Sequence, residues 1–160
     1  MTRAHSFTGS EAGVVAIRAG VAADAGACAA INAAWVAATE WMPRLHAPEE
    51  VARFYRDRVF ATCRVLVAEG PGGIEGFLAV DGDGLIAAFF VAEAVRGRGV
   101  GSALLREAQA LRPEGLTLWT FEANAGARRF YARHGFLAAG GTWGDNEEGL
   151  ADLMLTWRAA

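Results

Sequence analysis

A glycine-rich turn joins an apolar segment to an amphipathic helix near the middle of the chain. Residues 85–91 are apolar, residues 96–102 read Arg-Gly-Arg-Gly-Val-Gly-Ser, and residues 101–111 return to helical spacing. Glycines let the backbone approach a ligand closely, and the free N–H groups at a helix N-terminus attract phosphate. The pattern therefore predicts a strand, a turn and a helix that together hold a pyrophosphate.

Two common phosphate-binding loops do not fit this turn. A P-loop requires the sequence GxxxxGK[ST], and the turn contains no lysine. A Rossmann turn requires GxGxxG after an early strand, whereas here Gly97 and Gly99 are followed by Gly101 and Ser102 in mid-chain. The pattern that remains is Arg96-x-x-Gly99-x-Gly101, for which a plain strand-to-helix turn without a ligand is the simpler alternative.

Hydrophobic spacing predicts the elements around this turn. Strands are expected at 14–18, 65–68, 74–80, 85–91, 116–121 and 150–157. Helices are expected at 24–35, from Pro48 onward with the stripe Val51, Phe54, Tyr55 and Val59, and at 101–111 and 125–134. This order predicts an α+β fold with a mixed sheet of about six or seven strands and about four helices. Residues 1–13 are expected to form a flexible N-terminal arm, and residues 14–160 a single domain.

A second pattern lies at residues 124–136. It reads Asn-Ala-Gly-Ala-Arg-Arg-Phe-Tyr-Ala-Arg-His-Gly-Phe, which has the form N-x-x-A-x-x-F-Y-x-x-x-G-F. The turn and this segment, in this order, resemble the motifs of the GNAT N-acetyltransferase superfamily, and the resemblance extends over roughly residues 14–157. Trp41-Met42-Pro43, Leu45-His46, Pro48-Glu49-Glu50 and Asn146-Glu147-Glu148 are similar to segments of a bacterial GNAT subgroup whose substrates do not follow from the resemblance.

The resemblance implies an enzyme that transfers the acetyl group of acetyl-CoA to a primary amine of a small molecule or peptide. It implies splayed strands at 85–91 and 116–121, with the pantetheine arm in the gap. The residues implied to bind the cofactor are Phe89, Val91, Arg96, Gly97, Arg98, Gly99, Val100, Gly101, Ser102, Asn124 and Tyr131. Of these, the Val91 N–H would stabilise the oxyanion and Tyr131 would protonate the leaving thiolate. A helix cap at Asn124 and a packing role for Tyr131 are the simpler alternatives.

The base that deprotonates the amine is not identified by the sequence. Many GNAT enzymes carry a carboxylate near the start of the splayed strands, but residues 85–91 contain none. The candidates are Glu122, Glu40, His46, Glu147 or a water molecule. An acidic cluster, Asp145 with Glu147 and Glu148, together with Trp41 and Trp143 would attract a cationic acceptor if this loop closes over the site.

Composition excludes several other classes. With 15 Lys+Arg against 18 Asp+Glu the net charge is −3, so a nucleic acid is not expected as the partner. Cys28 and Cys63 lie far apart with no CxxC pattern, which predicts a reducing, cytoplasmic location, no metal site and no acyl-enzyme. No apolar run is long enough to span a membrane. The C-terminal strands could form a homodimer interface. The alternative function is a non-catalytic acyl-CoA-binding module, and a nucleotide-binding module is the third alternative.

Overall fold

Eight strands form one sheet in the computed structural model, which describes residues 5–8 and 14–160, with side chains from residue 15 onward. The strands are β1 His5–Thr8, β2 Val14–Ala19, β3 Arg64–Gly70, β4 Gly73–Val80, β5 Leu85–Val91, β6 Leu116–Phe121, β7 Leu137–Thr142 and β8 Asp152–Trp157. Their order in the sheet is β1-β2-β3-β4-β5-β6-β8-β7. β5 and β6 run parallel and the other neighbours antiparallel, so the predicted mixed sheet is confirmed.

The described residues form four main helical segments, as predicted. Three are single helices: α1 Ala25–Ala38, α4 Val100–Leu111 and α5 Ala125–Arg133. The remaining segment is continuous over α2 Pro48–Phe54, a π-helical turn Tyr55–Val59, and α3 Phe60–Thr62. Tyr55 and Val59 are buried as the predicted stripe requires, but Phe54 is 57% exposed. Adjacent helical residues point about 100° apart, so Phe54 and Tyr55 cannot both face the sheet. Within these described segments, no helix combines the length and the apolarity needed to cross a membrane.

Two strands were not expected from the sequence. His5–Thr8 pairs antiparallel with β2 inside the stretch expected to be a flexible arm, whose other residues, 1–4 and 9–13, lie outside the described residues. Leu137–Thr142 pairs with β8 although it contains little besides small residues and is mostly exposed. Because β8 lies between β6 and β7, its edges are paired, and Leu155 in it is buried. The free edge at this end of the sheet belongs to β7.

Helices cover both faces of the sheet, so that two hydrophobic cores form. Side chains alternate between the faces along β3 and β4. On one face Leu66 and Leu78 pack with Leu104 of α4 and Tyr131 of α5. On the other face the core contains Val67 and Phe77 of the sheet, Cys28 and Ala29 of α1, and Tyr55 of the π-helical turn. We refer to these as the α4–α5 face and the α1–α2 face.

β5 and β6 separate soon after they begin. They pair only at Leu85 with Thr117 and at Ile86 with Leu118. The register between β4 and β5 shifts at this level, because Val80 pairs with Ile86 and Ala79 with Ala88, which leaves Ala87 as an extra residue. Such a bulge bends its strand and increases the local twist. The sheet therefore opens beyond Ala87, which confirms the predicted splay.

Candidate functional site

A cleft of about 900 Å³ occupies the gap between β5 and β6 and reaches both faces of the sheet. Every residue that the sequence analysis assigned to the cofactor lines this cleft, except Arg98, whose side chain is exposed to solvent. Two distant sequence motifs, the glycine-rich turn and the segment that begins at Asn124, therefore meet at one place in the fold.

The glycine-rich turn forms the start of α4. Gly97 and Gly99 have φ angles of +79° and +84°, a region that residues with a side chain rarely adopt. The first intrahelical bond is donated by the Ala103 N–H to the Gly99 carbonyl at 3.0 Å. The N–H groups of Val100, Gly101 and Ser102 precede that bond and have no partner within the helix. They lie at the positive end of the helix dipole, where an anion is favoured.

The backbone of β5 offers hydrogen-bonding groups to the gap. The Ala92 N–H donates to the Glu75 carbonyl at 2.8 Å, on one side of the register pair formed by Gly76 and Val91. In an antiparallel ladder this means that the N–H and C=O of Val91 do not bond to β4. Because the two kinds of pair alternate along the strand, the same holds for Phe89, two residues earlier. Their N–H groups point toward the space that β6 has left. Arg96 Nε donates to the Val91 carbonyl at 3.2 Å.

Asn124 both caps a helix and faces the cleft. Its Oδ1 accepts a hydrogen bond from the Ala127 N–H at 3.1 Å, so it is the N-cap of α5. Its Nδ2 has no partner among the described residues and lies in the cleft lining. Asn124 is therefore a helix cap, as the simpler alternative predicted. The cap also fixes the orientation of the amide, so that Nδ2 remains available as a hydrogen-bond donor.

Tyr131 is packed among aromatic rings, with only 9% of its surface exposed. Its ring lies 5.4 Å from Phe130, 5.5 Å from Phe136 and 6.2 Å from Phe89, measured between ring centroids. Burial raises the pKa of its phenol above the usual value of about 10. The hydroxyl has no hydrogen-bond partner among the described residues although the residue lines the cleft. Tyr131 is thus a protonated donor with its proton available to a ligand.

An aromatic row crosses the gap on the α1–α2 face. It consists of Phe90 on β5, Trp35 on α1, Trp41 after α1, and Phe121 on β6. Successive ring centroids lie 5.4, 5.7 and 5.7 Å apart. The bulge at Ala87 makes this possible, since it shifts the alternation of β5 so that Phe90 faces α1. The sequence analysis did not identify this row, because its members come from four separate segments.

The acidic candidates occupy different positions from those expected. Glu40, His46, Glu122 and Glu147 do not line the cleft, whereas the half-buried Glu148 does. His46 Nε2 contacts the Glu147 carboxylate, and its Nδ1 lies 3.3 Å from Glu50 Oε2. These carboxylates, Glu147 first, raise the pKa of His46.

The loop between β7 and β8 is held to the segment after α1 by this contact. Trp143 is 92% exposed and lies outside the cleft lining, as does the exposed Asp145. Of the acidic cluster, therefore, only Glu148 can act in the cleft.

Asn32 and Tyr55 form a polar pair at the base of the α1–α2 face. Asn32 Nδ2 donates to the Tyr55 hydroxyl at 2.7 Å, and both residues line the cleft. Burial raises the pKa of Tyr55 as well, so this phenol stays protonated. The only sequence indication of the pair was Asn32 itself, which interrupts the apolar run of α1.

The thiols lie outside the cleft lining. Cys28 is fully buried, and burial raises its pKa to about 12, so that it is a thiol at neutral pH. Cys63 is half-buried and unpaired. Among the residues that the structure describes, no three His, Cys, Asp or Glu side chains are grouped so as to hold a metal ion.

Comparisons with known proteins give matches over most of the chain. A family model described as an acetyltransferase (GNAT) domain matches residues 61–137. The peptidyl-lysine N-acetyltransferase YiaC of Escherichia coli (strain K12) is 30% identical over 131 residues, which cover 80% of this chain and 88% of that protein. Both matches include the glycine-rich turn.

Solved structures share the fold. The apo-form of YjaB from Escherichia coli is similar with a TM-score of 0.73 and 26% identity, over 91% of this chain and 99% of that one. The structure of yncA from Salmonella typhimurium with its cofactor acetyl-CoA has a TM-score of 0.71 at 19% identity, over 91% and 94% of the two chains. Together with the identity to YiaC, these findings confirm the resemblance: the chain belongs to the GNAT acetyltransferase family, a family of acetyl-CoA-dependent acyltransferases.

Proposed function

We propose that the chain transfers the acetyl group of acetyl-CoA to a primary amine of a small molecule or peptide, by direct attack within a ternary complex. The observation that carries the proposal is the cleft through the open sheet, with the Val91 N–H at the gap between its two faces. A cofactor on the α4–α5 face and an amine on the α1–α2 face can meet there. An intermediate bound to the enzyme is unnecessary, and neither cysteine lines the cleft.

The α4–α5 face binds acetyl-CoA. The free N–H groups at the start of α4 hold the pyrophosphate, and positive φ at Gly97 and Gly99 lets the backbone curve around it. The pantetheine arm enters the gap, where the backbone of Phe89 and Val91 and the Asn124 amide offer hydrogen bonds. The Arg98 side chain is exposed and outside the cleft lining, and its backbone N–H belongs to the same turn.

The thioester carbonyl accepts the Val91 N–H as the amine attacks. The amine nitrogen forms a bond to the carbonyl carbon, and the oxygen becomes an oxyanion in a tetrahedral intermediate. A donor already aimed at that oxygen is worth about 3 to 4 kcal/mol in comparable sites. The intermediate then collapses with cleavage of the carbon–sulfur bond.

Tyr131 assists departure of the CoA thiolate. As the carbon–sulfur bond breaks, the nitrogen of the intermediate loses its second proton to water. The Tyr131 hydroxyl donates a hydrogen bond to the sulfur, and the departing thiolate takes up a proton from water. A thiol has a pKa near 8.5 and a phenol near 10, so complete transfer costs about 2 kcal/mol or more. Hydrogen bonding to the thiolate is therefore the larger part of the effect.

The amine must lose a proton before it attacks. At pH 7 this costs about 4.6 kcal/mol for an alkyl amine of pKa about 10.4. Glu148 is the only carboxylate within the described lining of the cleft. Water carries the proton of the amine to solvent, so the rate rises with pH.

Two measurements test the proposal. Calorimetric titration should show micromolar binding of acetyl-CoA and no comparable binding of ATP or NAD. Thiol release with a panel of amines should then show turnover, and Tyr131→Phe should lower kcat about 10- to 100-fold while the Kd of acetyl-CoA changes less than twofold. Binding of CoA without thiol release from any amine would overturn the transferase and favour a non-catalytic acyl-CoA-binding module.

A reducing compartment is consistent with this activity. Cys28 and Cys63 are both free thiols, and exposed or half-buried thiols persist in the cytoplasm. We therefore place the transferase there. Expression of the chain and detection of both cysteines as reduced in fractionated cytoplasm would test this assignment.

A further inference from the structure

Resting on the proposed transferase function, we propose that the α1–α2 face takes an unbranched aminoalkyl chain as acceptor, with its methylenes on the aromatic row and its ammonium attracted by Glu148. A lysine side chain within a peptide and a free diamine share this chemistry. From the sequence, a cationic acceptor was expected if the acidic cluster, together with Trp41 and Trp143, closed over the site. The structure instead assigns recognition to one carboxylate, Glu148, and to the aromatic row.

The aromatic row provides a continuous apolar wall next to the gap. Its rings are all partly exposed; Trp35, Phe90 and Phe121 line the cleft, and Trp41 connects Trp35 to Phe121 without lining it. Aromatic faces attract cations and pack well against methylene groups. An alkyl chain lying along this row would deliver its terminal amine to the gap at Val91.

Polar side chains on this face are few. Asn32 and Tyr55 are joined by one hydrogen bond, which Asn32 Nδ2 donates to the Tyr55 hydroxyl at 2.7 Å. The α-amine of a peptide is flanked by an amide N–H and a carbonyl, which lose hydrogen bonds to water when they enter an apolar wall. A methylene stem has no such requirement. The composition of the wall therefore favours an aminoalkyl chain over a peptide N-terminus.

Charge divides between the two ends of the cleft. The two arginines in its lining are Arg96, at the start of the glycine-rich turn, and Arg133, at the end of α5, on the side that holds the cofactor. Glu148 lies in the loop that contacts the α1–α2 side through Glu147 and His46. An ammonium group is thus attracted into the cleft from the side of Glu148, and a phosphate from the opposite side. The amine loses its proton to water before it attacks at the gap beside Val91.

An acceptor panel tests this inference separately from the transferase function. The probes are a lysine peptide with an acetylated N-terminus, diaminopentane, a lysine-free peptide with a free α-amine, and an arylamine. We expect kcat/KM to be at least about tenfold higher for one of the first two than for the last two. All fifteen basic residues of the chain are arginine, so any acetyl-lysine found belongs to the peptide probe.

Glu148→Gln should raise the KM for the preferred aminoalkyl probe about tenfold, with kcat and the Kd of acetyl-CoA within twofold of their original values. Glu49→Gln is the matched control, since Glu49 is exposed and outside the cleft, and it should change none of these quantities. Thiol release that favours the α-amine peptide or the arylamine, or a KM unaffected by Glu148→Gln, would overturn the inference and leave the transferase standing. Absence of release from all four probes would overturn both. The better of the two aminoalkyl probes identifies the source of the acceptor.

Discussion

The two faces of the cleft are built in different ways. On the α4–α5 face, the groups proposed to bind acetyl-CoA are mainly backbone N–H groups from one continuous stretch, the end of β5 and the start of α4. On the α1–α2 face they are side chains from α1, the segment after it, the π-helical turn, β5, β6 and the loop between β7 and β8. One face depends on backbone conformation and the other on tertiary packing.

This difference separates what the fold requires from what the acceptor requires. Substitution of side chains on the α4–α5 face leaves its backbone N–H donors in place, provided that glycine is kept at the positions with positive φ. The side chains of the α1–α2 face can change without disturbing the start of α4. The structure therefore predicts that substitutions on the two faces will separate cleanly into effects on acetyl-CoA and effects on the amine.

The largest effect is expected when the backbone donor at the gap is removed. Val91→Pro deletes the N–H that faces the gap and leaves the bond from the Ala92 N–H to Glu75 intact. Proline is tolerated where a strand does not use its N–H in the ladder. We expect kcat to fall about 100- to 1000-fold, because the oxyanion loses its donor. The initial rate of thiol release at saturating acetyl-CoA and amine measures the change in kcat.

Val91→Ala is the control for this substitution, since it trims the side chain and retains the N–H. It should keep kcat within about threefold. The melting temperature of both variants shows whether the sheet is intact. If a folded Val91→Pro turns over like the parent chain, the Val91 N–H is not the oxyanion donor.

The glycine-rich turn can be tested with a pair of glycines in equivalent conformations. Gly97 and Gly73 have φ angles of +79° and +114°, and a Cβ at either would meet nothing within 4 Å. Alanine at either position is strained by about 1 to 2 kcal/mol. We expect Gly97→Ala to weaken acetyl-CoA binding about tenfold in calorimetry, because the turn relaxes away from the pyrophosphate. Gly73→Ala, in the hairpin between β3 and β4, should lower stability and leave Kd unchanged; equal Kd values for the two variants would contradict the cradle.

The α4–α5 face could be predicted from the sequence because it is local. Helix starts and positive φ at glycine are properties of a few neighbouring residues, so a turn that could hold a pyrophosphate was predicted at Gly97 and Gly99 from spacing. The family resemblance assigned the residues of this turn to the cofactor and added Asn124 and Tyr131. The structure adds what spacing cannot supply, namely that the Asn124 amide has one end in a cap and the other in the cleft.

The α1–α2 face depends on contacts between distant residues. The bulge at Ala87, which orients Phe90, results from the pairing of β5 with β4 and has no mark in the sequence of β5. Glu147 and Glu148 are adjacent and chemically identical, yet they have different positions in the fold. Glu147 contacts His46, which lies 101 positions earlier in the chain, whereas Glu148 lines the cleft. No local pattern encodes that choice.

The aromatic row gives the next prediction, with a smaller effect. Trp41 does not itself line the cleft but lies 5.7 Å from both Trp35 and Phe121, which do, whereas Trp143 is 92% exposed and outside the cleft. Trp41→Leu should raise the KM of an aminoalkyl acceptor about three- to fivefold through loss of ring contacts, with the Kd of acetyl-CoA unchanged. Trp143→Leu should change neither. A weakened acetyl-CoA affinity in Trp41→Leu would show that the two faces are not independent.

The smallest effect concerns the contact that holds the loop carrying Glu148. Glu147 and Glu50 raise the pKa of His46 above its usual value of about 6.5, so the protonated imidazole stabilises the fold. That stability is fully present below the unfolded pKa, while the two glutamates stay ionised, and it is lost as pH rises through the folded pKa. His46→Gln should therefore lower the melting temperature by about 1 to 2 °C near pH 6 and have no effect near pH 9. A difference that stays constant from pH 6 to pH 9 would mean that the charge of His46 does not hold this loop, and that Glu148 is placed in the cleft by the packing of the loop alone.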